Sequence, residues 1–143
     1  MKSIYTHSGL STGLYSKKVT IEGVRRSSEK NECSFLGLCE SGIKESQKRI
    51  RSAFESSGLN FPKGEILINI FPADFKKKGA HLDLPIAITL YQMQDNRLNV
   101  DTNAYFIGEL GMDGSVRPVP KFLTHLLGAV KAGFNKIYCP EEN

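Results

Sequence analysis

Alternating polar and apolar side chains in the first quarter of the chain predict β structure. Within residues 16–24, the apolar Val19 and Ile21 alternate with polar residues, which is typical of a half-buried strand. Strands are predicted over residues 4–10, 16–24 and 33–37. The polar residues 25–32 indicate a turn, so we expect the second and third strands to pair as a hairpin.

The next part of the chain carries a helical repeat. Ile43, Ile50 and Phe54 recur at the spacing of one helix face, which predicts a helix over residues 41–57 with that face in the core. Gly58 is expected to end this helix, because glycine readily adopts the backbone conformation found after a helix C-terminus.

The rest of the chain alternates between short apolar runs and helical repeats. Asp83 and Pro85 resemble a helix start, with the aspartate as N-cap. Strands are predicted over residues 65–70, 105–108, 116–119 and 137–139, and helices over residues 83–93 and 120–132. The last helix is expected to have one apolar side, formed by Phe122, Leu123, Leu126, Leu127 and Val130. This order predicts a single α/β domain over residues 1–143, with one mixed sheet and helices on one face.

Composition fits one soluble domain. Of the 143 residues, 40% are hydrophobic and 24% are charged, and no apolar run approaches the ~20 residues of a membrane-spanning helix. The chain starts without the apolar stretch of a signal peptide, so we expect a cytoplasmic location. Cys33, Cys39 and Cys139 are then expected to be reduced thiols.

Most catalytic signatures are missing from the sequence. The chain has no Gly-x-x-x-x-Gly-Lys-[Ser/Thr] run, which argues against P-loop binding of ATP by this chain. His81 lies two residues from Asp83, and we interpret it as a solvated neighbour rather than an acid/base or metal-binding pair. His125 is expected at the edge of the last helix's apolar side. No set of residues has the spacing of a metal site, so none is predicted.

Basic residues offer the clearest candidate for binding. In the first helix they repeat at i, i+4 and i+7 on one face, and a later loop holds three successive lysines. The candidates are Lys44, Lys48, Arg51, Lys76, Lys77 and Lys78. They are either a solvated helix face and an ordinary loop, or a docking surface for phosphates or an acidic protein. The net charge of +4 permits an anionic partner without requiring one.

Several blocks, in order along the chain, resemble one known family. They are GLCESGIKES with RIR (37–46 and 49–51), NIFPADFKKKG (69–79), DLPIA (83–87), GEL (108–110), DG (113–114), RPV (117–119), AGF (132–134) and PEEN (140–143). Together they resemble the N-terminal domain of the ComM/YifB-type, magnesium chelatase-related AAA+ ATPases, and the resemblance covers nearly the whole chain.

The resemblance implies a fold, partners and a role. The fold would be a two-layer α/β sandwich of the ribosomal protein S5 domain 2 type, similar to the Lon protease domain and the RadA C-terminal domain. In the family an AAA+ motor domain follows, so ATP and magnesium are expected there and no cofactor in this chain. The implied partners are that AAA+ module, in the same protein or a separate chain, DNA, and further copies in a homo-oligomer.

The implied function is that of a non-catalytic accessory domain in DNA processing, which contributes to ring assembly and DNA contacts. One alternative is an assembly module without a DNA role, and another is a fragment of a magnesium chelatase-related subunit. The similarity to Lon also suggests a serine–lysine peptidase dyad, but Asp83 and Leu123 occupy the serine and lysine positions. Neither can supply the nucleophile or the base, so we predict no catalytic residues.

Overall fold

A computed structural model describes residues 2–94, 100–101 and 103–143. Its elements, in chain order, are β1 (Ile4–Thr12), β2 (Tyr15–Arg26), β3 (Glu32–Leu36), α1 (Ser41–Ser56), β4 (Glu65–Phe71), α2 (Asp83–Gln92), β5 (Ala104–Phe106), β6 (Glu109–Leu110), β7 (Val116–Arg117), α3 (Phe122–Lys131) and β8 (Lys136–Tyr138). None of the helices in the described ranges is long and apolar enough to cross a membrane.

Six strands form one mixed sheet in the order β3-β4-β2-β1-β5-β8. β2 pairs antiparallel with both β1 and β4, whereas β3–β4, β1–β5 and β5–β8 are parallel pairs. The short strands β6 and β7 form a separate antiparallel ribbon. The predicted α/β class with a mixed sheet is therefore confirmed.

The predicted hairpin between the second and third strands is wrong. β3 pairs in parallel with β4, and β4 lies between β3 and β2. Ile66, Ile68 and Ile70 are almost fully buried, so β4 takes an inner place in the sheet, where strands on both sides satisfy its backbone. α1 then connects the parallel neighbours β3 and β4, as parallel pairing requires a long crossover.

The main core lies between the sheet and the pair α1 and α2. β2 contributes Val19 and Ile21, α1 contributes Ile50, and α2 contributes Ile86 and Leu90, all of them fully buried. The stripe predicted for the first helix is confirmed, since its residues form part of this core.

α3 packs against the other face of the sheet. On β2, the position of Ser16 has the opposite parity to Val19, and its side chain approaches α3 at Gly128. A smaller apolar cluster forms there around Tyr105 and Ala129. The three helices of the described ranges thus divide between two faces, and the prediction of helices on one face is wrong, because alternate side chains of β1 and β2 point in opposite directions and each side is covered by a helix.

Candidate functional site

Asp83 lies at the centre of a buried polar contact. Its Oδ2 accepts hydrogen bonds from Nε of Arg49 at 2.8 Å and from the backbone N–H of Leu110 at 3.1 Å. Its Oδ1 accepts another from Nη2 of Arg49 at 3.0 Å, and this pairing raises the pKa of the arginine. The side chain does not cap α2 as predicted, because the N-cap is Leu82 and both carboxylate oxygens are already engaged. Asp83 therefore connects α2 with α1 and β6.

The positions that correspond to the Lon dyad have unlike environments. The Asp83 side chain is fully buried in its ion pair, whereas Leu123 is 65% exposed on α3. A carboxylate held by an arginine is a poor nucleophile, and a leucine cannot act as its base. Asp83 thus joins elements of the fold, whereas Leu123 lies at the surface.

The histidine predicted to be a solvated neighbour of Asp83 is instead packed inside the fold. Nε2 of His81 lies 2.7 Å from the carbonyl oxygen of Gly9, and its ring lies 4.7 Å from the ring of His125. His125, expected at a boundary, is only 2% exposed, and its Nδ1 lies 3.3 Å from Oγ of Ser16. Burial lowers the pKa of both histidines. For His125, burial and the charges of His81 and Lys121 lower it to about 4.

No cluster of three or more histidine, cysteine, aspartate or glutamate residues able to hold a metal occurs in the described part of the chain. The buried histidines lie against a carbonyl, a serine and each other, which leaves them in a structural setting.

The basic face predicted for the first helix is present on α1. Lys44, Lys48 and Arg51 are all exposed, and they follow one another along the solvent side of the helix. The guanidinium of Arg51 lies 3.9 Å from the centre of the Phe61 ring, a cation–π contact that orients it. With 1.5 Å of rise per residue, the three side chains span about 10 Å of the helix axis.

The three successive lysines are not equivalent. Lys76 and Lys78 are exposed, but Lys77 is fully buried. Its ammonium donates hydrogen bonds to the backbone carbonyls of Gly37 and Pro72. Burial lowers the pKa of Lys77, and the charge of Asp74 acts in the opposite direction. Lys77 is therefore withdrawn from the surface, and we leave it out of the candidate binding residues.

The lysine loop and the start of α1 lie side by side. The backbone N–H of Lys77 donates to the carbonyl of Leu38 at 2.9 Å, and the N–H of Glu40 donates to the carbonyl of Lys77 at 3.0 Å. The thiol of Cys39, between those two contacts, has its pKa raised by burial, and the charges of Lys77 and Lys44 oppose that rise. Two clusters that are distant in sequence thus meet at the N-terminus of α1. We call the exposed residues Lys44, Lys48, Arg51, Lys76 and Lys78 the basic strip.

A second surface, on α3, was not predicted from the sequence. The apolar residues of that helix were expected on one side, but Leu123, Leu127 and Val130 are each more than half exposed, while Ala129 is fully buried. We call the three exposed residues the α3 apolar face. Their spacing of i, i+4 and i+7 could have revealed a second apolar stripe, separate from the inward one.

Comparison with known proteins gives one family and several relatives. The family model described as subunit ChlI of Mg-chelatase matches residues 22–143. YifB of Salmonella typhimurium is 35% identical over 142 residues, which are 99% of this chain and 28% of that protein. The competence protein ComM of Haemophilus influenzae is 34% identical over 133 residues, which are 92% of this chain and 26% of ComM.

A DNA repair protein, RadA of Treponema pallidum, is 36% identical over 83 residues, which are 58% of this chain and 18% of RadA. The chain thus spans about 28% or less of the length of these relatives.

Proposed function

The chain belongs to the family described as subunit ChlI of Mg-chelatase, and from that premise we propose that it is a non-catalytic domain of a ComM-like ATPase, which contacts DNA through the basic strip. The ATPase activity, with its ATP and magnesium, belongs in this proposal to an AAA+ module outside the 143 residues. The complete protein would work on DNA in the cytoplasm, as a homo-oligomer.

One observation carries the proposal: the two basic clusters of the sequence are adjacent in space. The contacts between Lys77 and residues 38–40 place the exposed Lys76 and Lys78 beside the helix end that leads to Lys44. The α1 part of the strip alone spans about 10 Å, enough to face about three phosphates of one DNA strand at ~3.4 Å of axial rise each.

The relatives support a nucleic-acid partner over other anions. One is named a competence protein and another a DNA repair protein. The strip has no row of aromatic side chains between its lysines, and Phe61 is already covered by Arg51. Stacking on single bases is therefore not favoured, and we expect contacts to phosphates without sequence preference.

The test is binding of fluorescent single-stranded, duplex and branched DNA by the purified chain at low salt. Two double variants, Lys44→Ala/Lys48→Ala and Lys76→Ala/Lys78→Ala, should each reduce the affinity severalfold, because each removes two phosphate contacts. Lys77 stays unchanged in both variants, so the loop keeps its internal hydrogen bonds.

The matched control is Lys2→Ala/Lys136→Ala, which removes the same charge. Lys136 lies on β8, at the sheet edge opposite β3, and both lysines are exposed. This variant should bind DNA nearly as the original chain does. Equal losses of DNA affinity in all three double variants would show that only net charge matters, and the basic strip would then have no special role.

A second candidate function is an assembly module without a DNA role. The α3 apolar face favours it, because three exposed apolar side chains on one helix are typical of a protein contact. Absence of DNA binding at low salt, with the chain folded, would select this function over the first.

A further inference from the structure

α3 is apolar on two opposite sides. Its inward side carries the fully buried Ala129 and packs on the sheet. Its outward side carries Leu123, Leu127 and Val130, which are 65%, 59% and 61% exposed. A helix that only covers a sheet needs one apolar side, so the second stripe calls for a separate explanation.

The α3 apolar face continues onto the turn between β1 and β2. Leu14 in that turn and Tyr15 at the start of β2 are 89% and 71% exposed, and a groove of about 520 Å³ separates them from Leu127. The helix and the neighbouring strand come close because Gly128 has no side chain. A Cβ atom there would lie 2.7 Å from Cβ of Ser16. Leu14, Tyr15 and Leu127 thus line the groove, and Leu123 and Val130 extend the exposed apolar side of α3 beside it.

The charges around this groove have one sign. Among the described residues its lining includes Lys17, Lys18 and Lys131 and no acidic residue, and Nζ of Lys131 lies 5.9 Å from the centre of the Tyr15 ring. The acidic Glu141 and Glu142 are near the other end of α3, because Asn143 hydrogen-bonds the backbone of Val119. The groove therefore suits an occupant that is apolar on one side and acidic beside it.

We propose that the α3 apolar face and the β1–β2 turn form a docking site for an acidic amphipathic helix of a partner protein. The apolar stripe of that helix covers Leu123, Leu127 and Val130, and its carboxylates pair with Lys18 and Lys131, which line the groove. Because α1 and α3 lie on opposite faces of the sheet, this site is independent of the basic strip. A negative result for DNA binding would therefore leave the docking proposal unaffected, and the reverse also holds.

The test uses a synthetic helical peptide of about 18 residues, long enough to form a helix on binding. It carries leucines at i, i+4 and i+7 with glutamates on both flanks, and a second peptide carries lysines in place of the glutamates. Titration followed by NMR should show micromolar binding of the glutamate peptide, with shifts confined to α3 and the β1–β2 turn. The lysine peptide should bind about tenfold or more weakly.

Three variants sharpen the result. Leu123→Gln/Leu127→Gln should weaken the glutamate peptide about tenfold or more, whereas Met112→Gln, at a residue 64% exposed in the turn between β6 and β7, should leave it unchanged. Lys18→Glu/Lys131→Glu should invert the preference, so that the lysine peptide binds better.

Three results would overturn the proposal. The first is equal affinity for the two peptides, and the second is no binding of either peptide at millimolar concentration. The third is self-association of the chain that Leu123→Gln/Leu127→Gln abolishes, because the surface would then meet a second copy. All variants change exposed residues, and circular dichroism would verify that each is folded.

Discussion

At the scale of single residues, the lysine run shows how one residue type serves two purposes. Lys76 and Lys78 face solvent, whereas the ammonium of Lys77 binds the carbonyls of Gly37 and Pro72 inside the fold. A buried lysine needs such partners, since an unpaired ammonium in the interior is very costly. Lys77 therefore anchors the loop that presents its two neighbours.

Replacement of Lys77 should affect stability, and replacement of its neighbours should not. We expect Lys77→Met to lower the free energy of unfolding by about 1–3 kcal/mol, because the carbonyls of Gly37 and Pro72 lose their charged donor. Lys76→Ala and Lys78→Ala should each change it by less than about 0.5 kcal/mol. Urea unfolding measures all three, and similar losses for the three variants would contradict the structural role of Lys77.

The buried histidines predict a pH dependence of stability. His125 has its pKa lowered to about 4 by burial and by the charges of His81 and Lys121, against an ordinary value of 6.5. Between those two pH values the unfolded chain binds the proton and the folded chain does not. Stability should therefore be greatest above pH 6.5 and decrease as the pH falls towards 4.

The measurement is urea unfolding at pH 7.5 and at pH 5, for the original chain and for His125→Gln. The variant should lose less stability between the two pH values, because it lacks one of the groups that titrate there. Carboxylates contribute equally to both proteins, so the difference isolates the histidine. An identical loss in the two proteins would show that His125 does not carry the effect.

At the scale of elements, replacing two helical glycines by alanine is predicted to change the stability in opposite directions. A Cβ on Gly42 in α1 would meet nothing within 4 Å, whereas one on Gly128 in α3 would meet Cβ of Ser16 at 2.7 Å and its carbonyl oxygen at 3.2 Å. Gly42→Ala should raise the free energy of unfolding by about 0.5–1 kcal/mol through helix propensity. Gly128→Ala should lower it by about 1–3 kcal/mol, because α3 must move from β2.

Thermal unfolding of the two glycine variants checks this pair directly. If Gly128→Ala stabilised the chain as Gly42→Ala does, the close approach of α3 to the β1–β2 turn would be excluded. The groove assigned to a partner helix would then have a different shape.

The sequence predicts the elements better than their arrangement. The periods of β2, β4 and α1 depend on neighbouring residues and were predicted correctly: Val19 and Ile21, alternate residues of β4 and one stripe of α1 are buried. The partner of β3 was wrong, since strand pairing depends on residues that are distant in sequence. α3 was expected to have one apolar side, but it has a buried and an exposed apolar stripe. The spacing of apolar residues alone does not say which of them the fold buries.

In the candidate site too, the sequence predicts only those features that depend on neighbouring residues. The basic stripe on α1 follows from helical spacing and is exposed as that pattern indicates. The burial of Lys77 has no local signal, because it depends on the carbonyls of Gly37 and Pro72, which come from two other segments. The meeting of the two basic clusters depends likewise on the backbone contacts between residues 38–40 and Lys77.

At the scale of the whole molecule, two surfaces of different chemistry lie on opposite sides of one sheet. The basic strip lies with α1 on one side, and the α3 apolar face lies on the other. We propose that both are occupied at once, so that the domain connects DNA with a protein partner. The longer relatives, of which this chain spans about 28% or less, offer the setting in which such a connection would be used.

The most direct test of the DNA-contact proposal is the salt dependence of duplex DNA binding. For contacts to three or four phosphates, log affinity should fall against log salt with a slope of about −3 to −4. Lys44→Ala/Lys48→Ala/Arg51→Ala should bring the slope about two to three units closer to zero, because each lost contact removes about one unit. A slope near zero for the original chain, or one unchanged in the triple variant, would contradict the proposed role of the basic strip.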